Sequence, residues 1–297
     1  MFDMLARNFL RNAAVGMKCG FLEVPFCRSV RLSPTHLAGA AALLLGLNCT
    51  VQAADTLPSY PEILVDDVKH VLTAPARWQE QEWRDMGLTA AGLVGVAAIL
   101  DRPVRDEMRR HAPNNSRFLL NVERFGAEYS LGVLGGFYLA GALGNNDKAS
   151  AVAQDGLTAC LIASGIVTPT LKFITGRARP RENVGIAKFH PFSIGYSSNS
   201  SFPSGHTTQA FALASVISGH YDDSWVKYSS YTVASLVGVA RSYHNAHFAS
   251  DVLAGALVGT LVGQSVVEHN RPVRSVKVVL LPEITPELTG VRLVGSF

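Results

Sequence analysis

The chain is poor in charge and in usable cysteine. Only 16% of its 297 residues are Asp, Glu, Lys or Arg, against 48% hydrophobic. The formal net charge of +3 is not spread over the molecule, because residues 1–53 carry Arg7, Arg11, Lys18, Arg28 and Arg31 against only Asp3 and Glu23. The rest is close to neutral, which excludes a general nucleic-acid binder: that function needs a basic stripe on the folded part to displace counterions. Of the four cysteines, Cys19, Cys27 and Cys49 fall in a leader, so no intramolecular disulfide remains to the mature chain. Cys160 sits in an apolar stretch and reads as a small core residue, with no neighbouring charge to stabilise a thiolate. A phosphate-binding glycine loop of the Walker type, an internal repeat and a low-complexity tract are all lacking.

What is present begins with that leader. The apolar run Leu37 to Leu47, preceded by Arg28 and Arg31 and followed by Val51-Gln52-Ala53-Ala54, has the layout of a secretory signal, so residues 1–54 are read as a signal peptide. From Pro75 to Asn270 the sequence consists of Ala-, Gly-, Leu- and Val-rich segments separated by polar turns. The expected class is all-α, a bundle of about six helices at 78–101, 117–143, 147–175, 205–220, 225–242 and 249–269. The stretch 176–203, rich in Arg, Pro, Ser, Asn and Gly, reads as a long functional loop. After Pro272, residues 271–297 alternate as a small C-terminal β-hairpin.

The uncharged runs inside these helices, such as Met86 to Leu100, Tyr129 to Asn146 and Val252 to Val267, fall short of the roughly 20 residues that cross hydrocarbon comfortably. The expectation is therefore a soluble or peripheral protein of a bacterial cell envelope, facing the periplasm, rather than an integral one. The basic segment Arg102 to Arg117 reads as a solvated interhelix loop.

Three polar clusters interrupt the apolar pattern. The first is Lys172-Phe-Ile-Thr-Gly-Arg-Ala-Arg179-Pro180, at a helix end that Gly176 suits; cations are also favoured there by the helix dipole alone. The second, Ser201-Phe202-Pro203-Ser204-Gly205-His206, opens a helix with Ser204 as its N-cap, and free backbone N–H groups beside a glycine make an anion site without any side chain. The third is Arg241-Ser-Tyr-His244-Asn-Ala-His247-Phe-Ala-Ser-Asp251. Spaced i, i+4, His247 and Asp251 share a helical face, so the carboxylate is expected to accept the ring Nδ1–H and leave Nε2 free. His244, His247 and Asp251 are also a conceivable metal set, but three nearby cations suit an oxyanion better than a metal.

In this order and spacing, the three clusters resemble the type 2 phosphatidic acid phosphatase and vanadium haloperoxidase superfamily across residues 150–267. One departure is Ala240, where that family usually has serine before the arginine. The resemblance implies a helical domain over 75–270 with the phosphate site at one end. It implies that Lys172, Arg179 and Arg241 bind the phosphate oxygens, aided by Ser204 and Gly205. His247 would attack phosphorus, Asp251 would orient it, and His206 would protonate the leaving oxygen and then activate water. No metal or cofactor is implied, and the partner is a phosphorylated lipid or a small phosphomonoester. The expected function is a metal-independent phosphomonoesterase acting through a phosphohistidine on a lipid phosphate or diphosphate, with a broad-specificity periplasmic acid phosphatase, a vanadate-dependent haloperoxidase and a noncatalytic phosphate-binding bundle as alternatives.

Overall fold

The computed structural model describes residues 59–111, 116–193, 197–275, 277–284 and 289–296; the leader 1–54 lies outside them. The chain is helical as expected, in the order α1 (Tyr60–Leu72), α2 (Ala74–Arg77), α3 (Glu80–His111), α4 (Arg117–Glu123), α5 (Glu128–Gly144), α6 (Asp147–Cys160), α7 (Thr168–Thr175), α8 (Gly205–His220), α9 (Ser224–Tyr243) and α10 (Ala249–Ser275). Past α10 the backbone forms two strands, β1 (Lys277–Ile284) and β2 (Thr289–Ser296), paired antiparallel.

Three differences from the sequence reading have local causes. Helix α3 does not stop at 101 but continues through Pro103 to His111, so the basic segment from Arg102 is mostly helix rather than loop. The expected helix 117–143 is two, broken by a 3-10 turn at Arg124–Gly126, where a Cβ on Gly126 would collide with the backbone of His206. Helices α6 and α7 form one run joined by a π turn, Leu161–Val167, which precedes Pro169 near the start of α7; proline cannot supply its own N–H, and the wider turn re-phases the helix.

The centre of the bundle is the packing of α6, the π turn, α8 and α10, through Val152, Ala159, Ile162, Ala163, Ala212, Val216, Val262 and Val266. Gly255, Gly259 and Gly263, four apart on one face of α10, let that helix touch the backbone of α8 at Ser204, Thr208 and Ala212. A methyl group at any of them would meet a carbonyl oxygen, so the two helices that carry the second and third clusters are held at backbone contact.

The expectation of a soluble or peripheral protein is corrected by three segments. Glu80–Arg110, Asp147–Thr175 and Ala249–Arg271 are each long and apolar enough to cross a membrane. At about 1.5 Å per residue the shortest, of 23 residues, reaches about 35 Å against a hydrocarbon core of about 30 Å. On α3 the apolar side chains face outward, with Leu88, Val94 and Ile99 exposed by 67%, 69% and 71%, as lipid-facing side chains would be. Counting uncharged residues failed because Asp101 and Asp155, which interrupt the runs, are buried against protein partners: Asp101 on Arg177, Asp155 on His220 and Asn270. A carboxylate satisfied inside the bundle does not end a span. The chain is therefore read as an integral membrane protein.

Candidate active site

The first cluster is placed by the end of α7. Gly176 adopts φ 55°, donates its N–H to the Lys172 carbonyl at 2.8 Å, and sits where a Cβ would strike the backbone of His190. The chain leaves helical geometry there, with Gly176 as the left-handed C-cap of α7. Arg177 goes inward, 3% exposed, and Arg179 comes back towards the loop before α8. That loop supplies acceptors to both neighbouring cations: Lys172 Nζ donates to the Ser200 carbonyl at 2.5 Å, and Arg179 donates to the Ser197 carbonyl at 2.9 Å and to Ser200 Oγ at 3.1 Å.

The second cluster lies against the first. A Cβ on Gly205 would be 3.7 Å from Thr168 and 4.0 Å from the Lys172 side chain, so the start of α8 faces the end of α7. Ser204 occupies the N-cap position as expected, but its side chain caps no backbone N–H; the hydroxyl pairs with Thr207 Oγ1 at 2.8 Å. The helix opening is left uncapped by side chains, the arrangement that suits an anion.

The third cluster departs most from expectation. Asp251 does not accept the His247 ring N–H. That proton goes to the carbonyl of Ser201, 2.7 Å from Nδ1. A carbonyl only accepts, so Nδ1 carries the proton and the neutral ring presents its lone pair at Nε2. Asp251 is instead bound by Ser201 Oγ at 2.5 Å, the Phe248 N–H at 2.8 Å and Arg177 at 2.6 Å. It reaches His247 at one remove, through Ser201. The i, i+4 argument assumed that helical geometry extends back to His247; α10 begins only at Ala249, so the imidazole is not on the helix.

Behind His247 lies a buried ionic network that the sequence reading did not find. Arg177 joins Asp101 at 2.7 Å and Asp251 at 2.6 Å, Ser250 bonds Asp101 through both its N–H and its hydroxyl, and the guanidinium stacks on Phe248, 4.4 Å from the ring centroid. The available signal was Arg177 itself, inside the first motif but between the positions that carry the resemblance. On the other side, Glu123 accepts from Arg241 and His244, each at 2.9 Å; an acid at the end of a short amphipathic helix gave no warning of this. With His244 on Glu123 and His247 on Ser201, the conceivable metal set is not assembled. Among the described residues no group of three or more His, Cys, Asp or Glu is arranged to hold a metal.

The electrostatics follow from this crowding. Burial, then the charges of Lys172, Arg179 and Arg241, hold the His247 imidazole well below its usual value. Burial and then Arg241 push His206 down to about 4. Burial lowers Arg179 to about 10, helped by Arg181 and Arg241, which leaves it a cation. Lys172, Arg179 and Arg241 thus act on one imidazole, with His206 in the field of two of them. The chemistry open to such a site is binding of a multiply charged oxyanion beside a neutral nitrogen nucleophile.

Residues 156–271 match the PAP2 superfamily model. The lipid A 1-phosphatase of Porphyromonas gingivalis is 50% identical over 66 residues, covering 22% of this chain and 15% of that protein. A lipid A 1-phosphatase of Rhizobium johnstonii is 36% identical over 104 residues, 33% of this chain and 40% of that one. Lipid phosphate phosphatase 1 of Arabidopsis thaliana is 30% identical over 134 residues, 36% of this chain and 41% of that one. The chain spans less than half the length of these curated relatives. Among solved structures, LpxE of Aquifex aeolicus aligns with TM-score 0.44 at 24% identity, over 57% of this chain and 95% of that one. The transmembrane PAP2-type phosphatidylglycerolphosphate phosphatase of Bacillus subtilis aligns with TM-score 0.43 at 17% identity, over 71% and 97%. The segment 156–271, which contains Lys172, Arg179, Ser204, Gly205, His206, Arg241, His247 and Asp251, is a PAP2 superfamily domain.

Proposed function

We propose that the protein is a phosphatase that hydrolyses a phosphate monoester or diphosphate carried on a lipid, through a phosphohistidine on His247. The observation that carries this reading is the state of that residue: 3% exposed, its Nδ1–H fixed on Ser201, and neutral in the field of three cations. A neutral Nε2 held that way is a nucleophile aimed by the backbone rather than by a flexible side chain.

In the first step Nε2 attacks phosphorus while the bond from phosphorus to the lipid oxygen breaks. Lys172, Arg179 and Arg241 meet the charge on the nonbridging oxygens, with the uncapped start of α8 at Gly205 adding backbone N–H groups. His206 gives its proton to the departing alkoxide. In the second step His206 takes a proton from water, the oxygen attacks phosphorus, and the bond to Nε2 breaks to release inorganic phosphate. His206, pushed down to about 4 by burial and Arg241, takes the proton of a phosphate monoanion, or is charged beside a bound dianion, to become the acid. Asp251 keeps Ser201 in place, and through it the imidazole.

The lipid part of the reading rests on where the site lies along the spanning segments. Asp101 where the uncharged run of the first ends, Lys172 near the end of the second and Asp251 at the start of the third lie in or directly behind this site, so the proposed phosphate cradle lies at the same end of all three apolar runs. The names of the relatives, lipid A 1-phosphatase and lipid phosphate phosphatase, point the same way.

The test is phosphate release by the purified full chain from phosphatidic acid in detergent and from a soluble aryl phosphate, both in EDTA, beside His247→Ala. The reading expects EDTA-resistant turnover, faster on the lipid, that the substitution abolishes. It also expects an acid-labile, alkali-stable phosphoprotein in a rapid quench. Turnover that survives in His247→Ala would remove the phosphohistidine; oxidation of a halide only with added vanadate and peroxide would move the site to the haloperoxidase branch.

A further inference from the structure

After Gly176 the chain runs out through Arg177 and returns over residues 188–192, and the two limbs are tied together. Ala178 donates its N–H to the Lys188 carbonyl at 2.9 Å, His190 to the Gly176 carbonyl at 2.8 Å and Phe192 to the Phe173 carbonyl at 2.7 Å. Arg177 and Phe189 form an antiparallel bridge between these bonds. The returning limb is thereby fastened to the last turn of α7, the turn that carries Lys172 of the proposed cradle.

The side chains of this limb do not suit a segment facing only water. Phe189 is half-exposed and Phe192 is 65% exposed, and beside them at the end of α7 Phe173 and Ile174 are half-exposed too. The rings of Phe173 and Phe192 meet edge to face, 5.5 Å between centroids, so helix and limb share one outward apolar patch. Phe192 also has φ 61°, a left-handed backbone that a bulky residue adopts at a cost and glycine adopts freely. Local strain of this kind is held in place by the surrounding structure and clusters at functional segments. Here it holds a phenyl ring outward rather than in the core.

The place of the patch indicates what covers it. Phe173 and Ile174 belong to the spanning segment Asp147–Thr175, so the patch continues a lipid-facing surface beyond the end of the span. Phe173 lies two residues, about 3 Å of helical rise, short of that end, and Phe192 is bonded to it at the same level. This is the depth at which hydrocarbon gives way to headgroups, where amphipathic and aromatic side chains anchor a protein. Lys188, exposed next to Phe189, supplies a cation that suits anionic headgroups.

We infer that residues 188–192 form a foot that rests in the bilayer surface, with Phe189 and Phe192 among the acyl chains of the surrounding lipids and Lys188 among their headgroups. Because the foot is fastened to the last turn of α7, it seats the mouth of the cradle level with the phosphates of membrane lipids. That consequence rests on the phosphatase reading; the contact with the bilayer does not. Phe189 also lies 5.7 Å from the Arg177 guanidinium, so its replacement would disturb the buried network. Phe192 makes the cleaner test.

The experiment places the full chain in phosphatidylcholine vesicles and reads the emission of Phe192→Trp against the wild type, which has three tryptophans of its own. The added emission is expected to be quenched by bromine on the lipid acyl chains and spared by acrylamide in the water. The reverse pattern overturns the inference, and so does emission spared by both quenchers, as it would be beneath a second copy of the chain. Phe192→Gly then removes the ring where glycine suits the backbone, so folding is not at stake. It is expected to raise KM for phosphatidic acid in vesicles about tenfold, the worth of one partly buried aromatic side chain, and to leave KM for a soluble aryl phosphate unchanged. Phe192→Leu should keep most of the wild-type behaviour. Equal changes on the two substrates, none included, would overturn the seating of the cradle. Bromine quenching in a folded protein that hydrolyses neither substrate would uphold the bilayer contact and remove the phosphatase reading.

Discussion

His247 and Ser201 are joined by a ring N–H donated to a backbone carbonyl over 2.7 Å, and Ser201 is itself held at two further points, its N–H on the Arg177 carbonyl at 2.9 Å and its hydroxyl on Asp251 at 2.5 Å. The proposed nucleophile is thus aimed by a main-chain atom whose position a carboxylate controls. Replacing Ser201 by Ala keeps the carbonyl but frees it from Asp251. The expected outcome is a fall in kcat of about tenfold with little change in KM, the loss of one hydrogen bond of about 1–1.5 kcal/mol. Steady-state kinetics on a lipid phosphate decide it; a rise in KM at constant kcat would mean that Ser201 binds substrate instead.

The pH profile should be displaced to the acid side. His247 stays neutral well below the usual imidazole range, so the proposed nucleophile is not lost at mildly acidic pH. His206, at about 4, is charged only with help from the phosphate, whose second ionisation lies near pH 6. We expect kcat/KM to decline as pH rises through about 6 and to hold down to about pH 4–5. A rate profile across pH 4 to 9 checks this, and His206→Gln should lower kcat by about 10²–10⁴.

Arg177 is the counterion of two fully buried carboxylates, so Arg177→Met should cost far more than a lost surface contact. Breaking a buried pair by removing one partner costs about 3–5 kcal/mol, and here two partners are stranded. The thermal midpoint in detergent should drop by several degrees and activity with it. The double variant Arg177→Met with Asp101→Asn should recover part of the stability, because one stranded charge is removed.

Glu123 ties Arg241 and His244 together. Although burial pushes it up, the hydrogen bond from His244 and the charge of Arg241 leave its carboxyl below the ordinary value of 4.5. A carboxylate depressed in the folded state contributes its stability above the unfolded value, and loses it as pH falls through the folded one. The clamp should therefore be complete above about pH 4.5 and open only below it. Glu123→Gln should imitate the open state at neutral pH, raising KM for a lipid phosphate about tenfold; unchanged KM would show that Arg241 keeps its place unaided.

The sequence made the helical class and the three clusters legible because both are local. Apolar periodicity marks a helix, and the cations and histidines of the site stand at fixed spacings within short segments. The segment 205–220 matched α8 residue for residue because Ser204 before it and the polar run after it punctuate it at both ends. What stayed hidden depends on distant partners. Asp101 and Asp155 read as charges that limit a span until Arg177, His220 and Asn270 are seen to bond them inside the bundle. The role of Asp251 was assigned by helical spacing and failed because the helix starts two residues later than His247. Arg177, Ser201 and Glu123 reach the site across the fold, and no spacing records that.

The cradle's place at one end of three spanning helices gives the proposed reaction a direction. A lipid phosphate cleaved there yields two products with opposite solubility: the dephosphorylated lipid remains in the bilayer, and inorganic phosphate passes into water. Once separated they occupy different phases, and neither accumulates at the site at the other's concentration. Reversal requires a phosphate ion to return from bulk water just as the lipid diffuses back within the membrane plane. The boundary between two solvents, set by the lengths of α3, α6–α7 and α10, would separate the two products without help from any residue of the site.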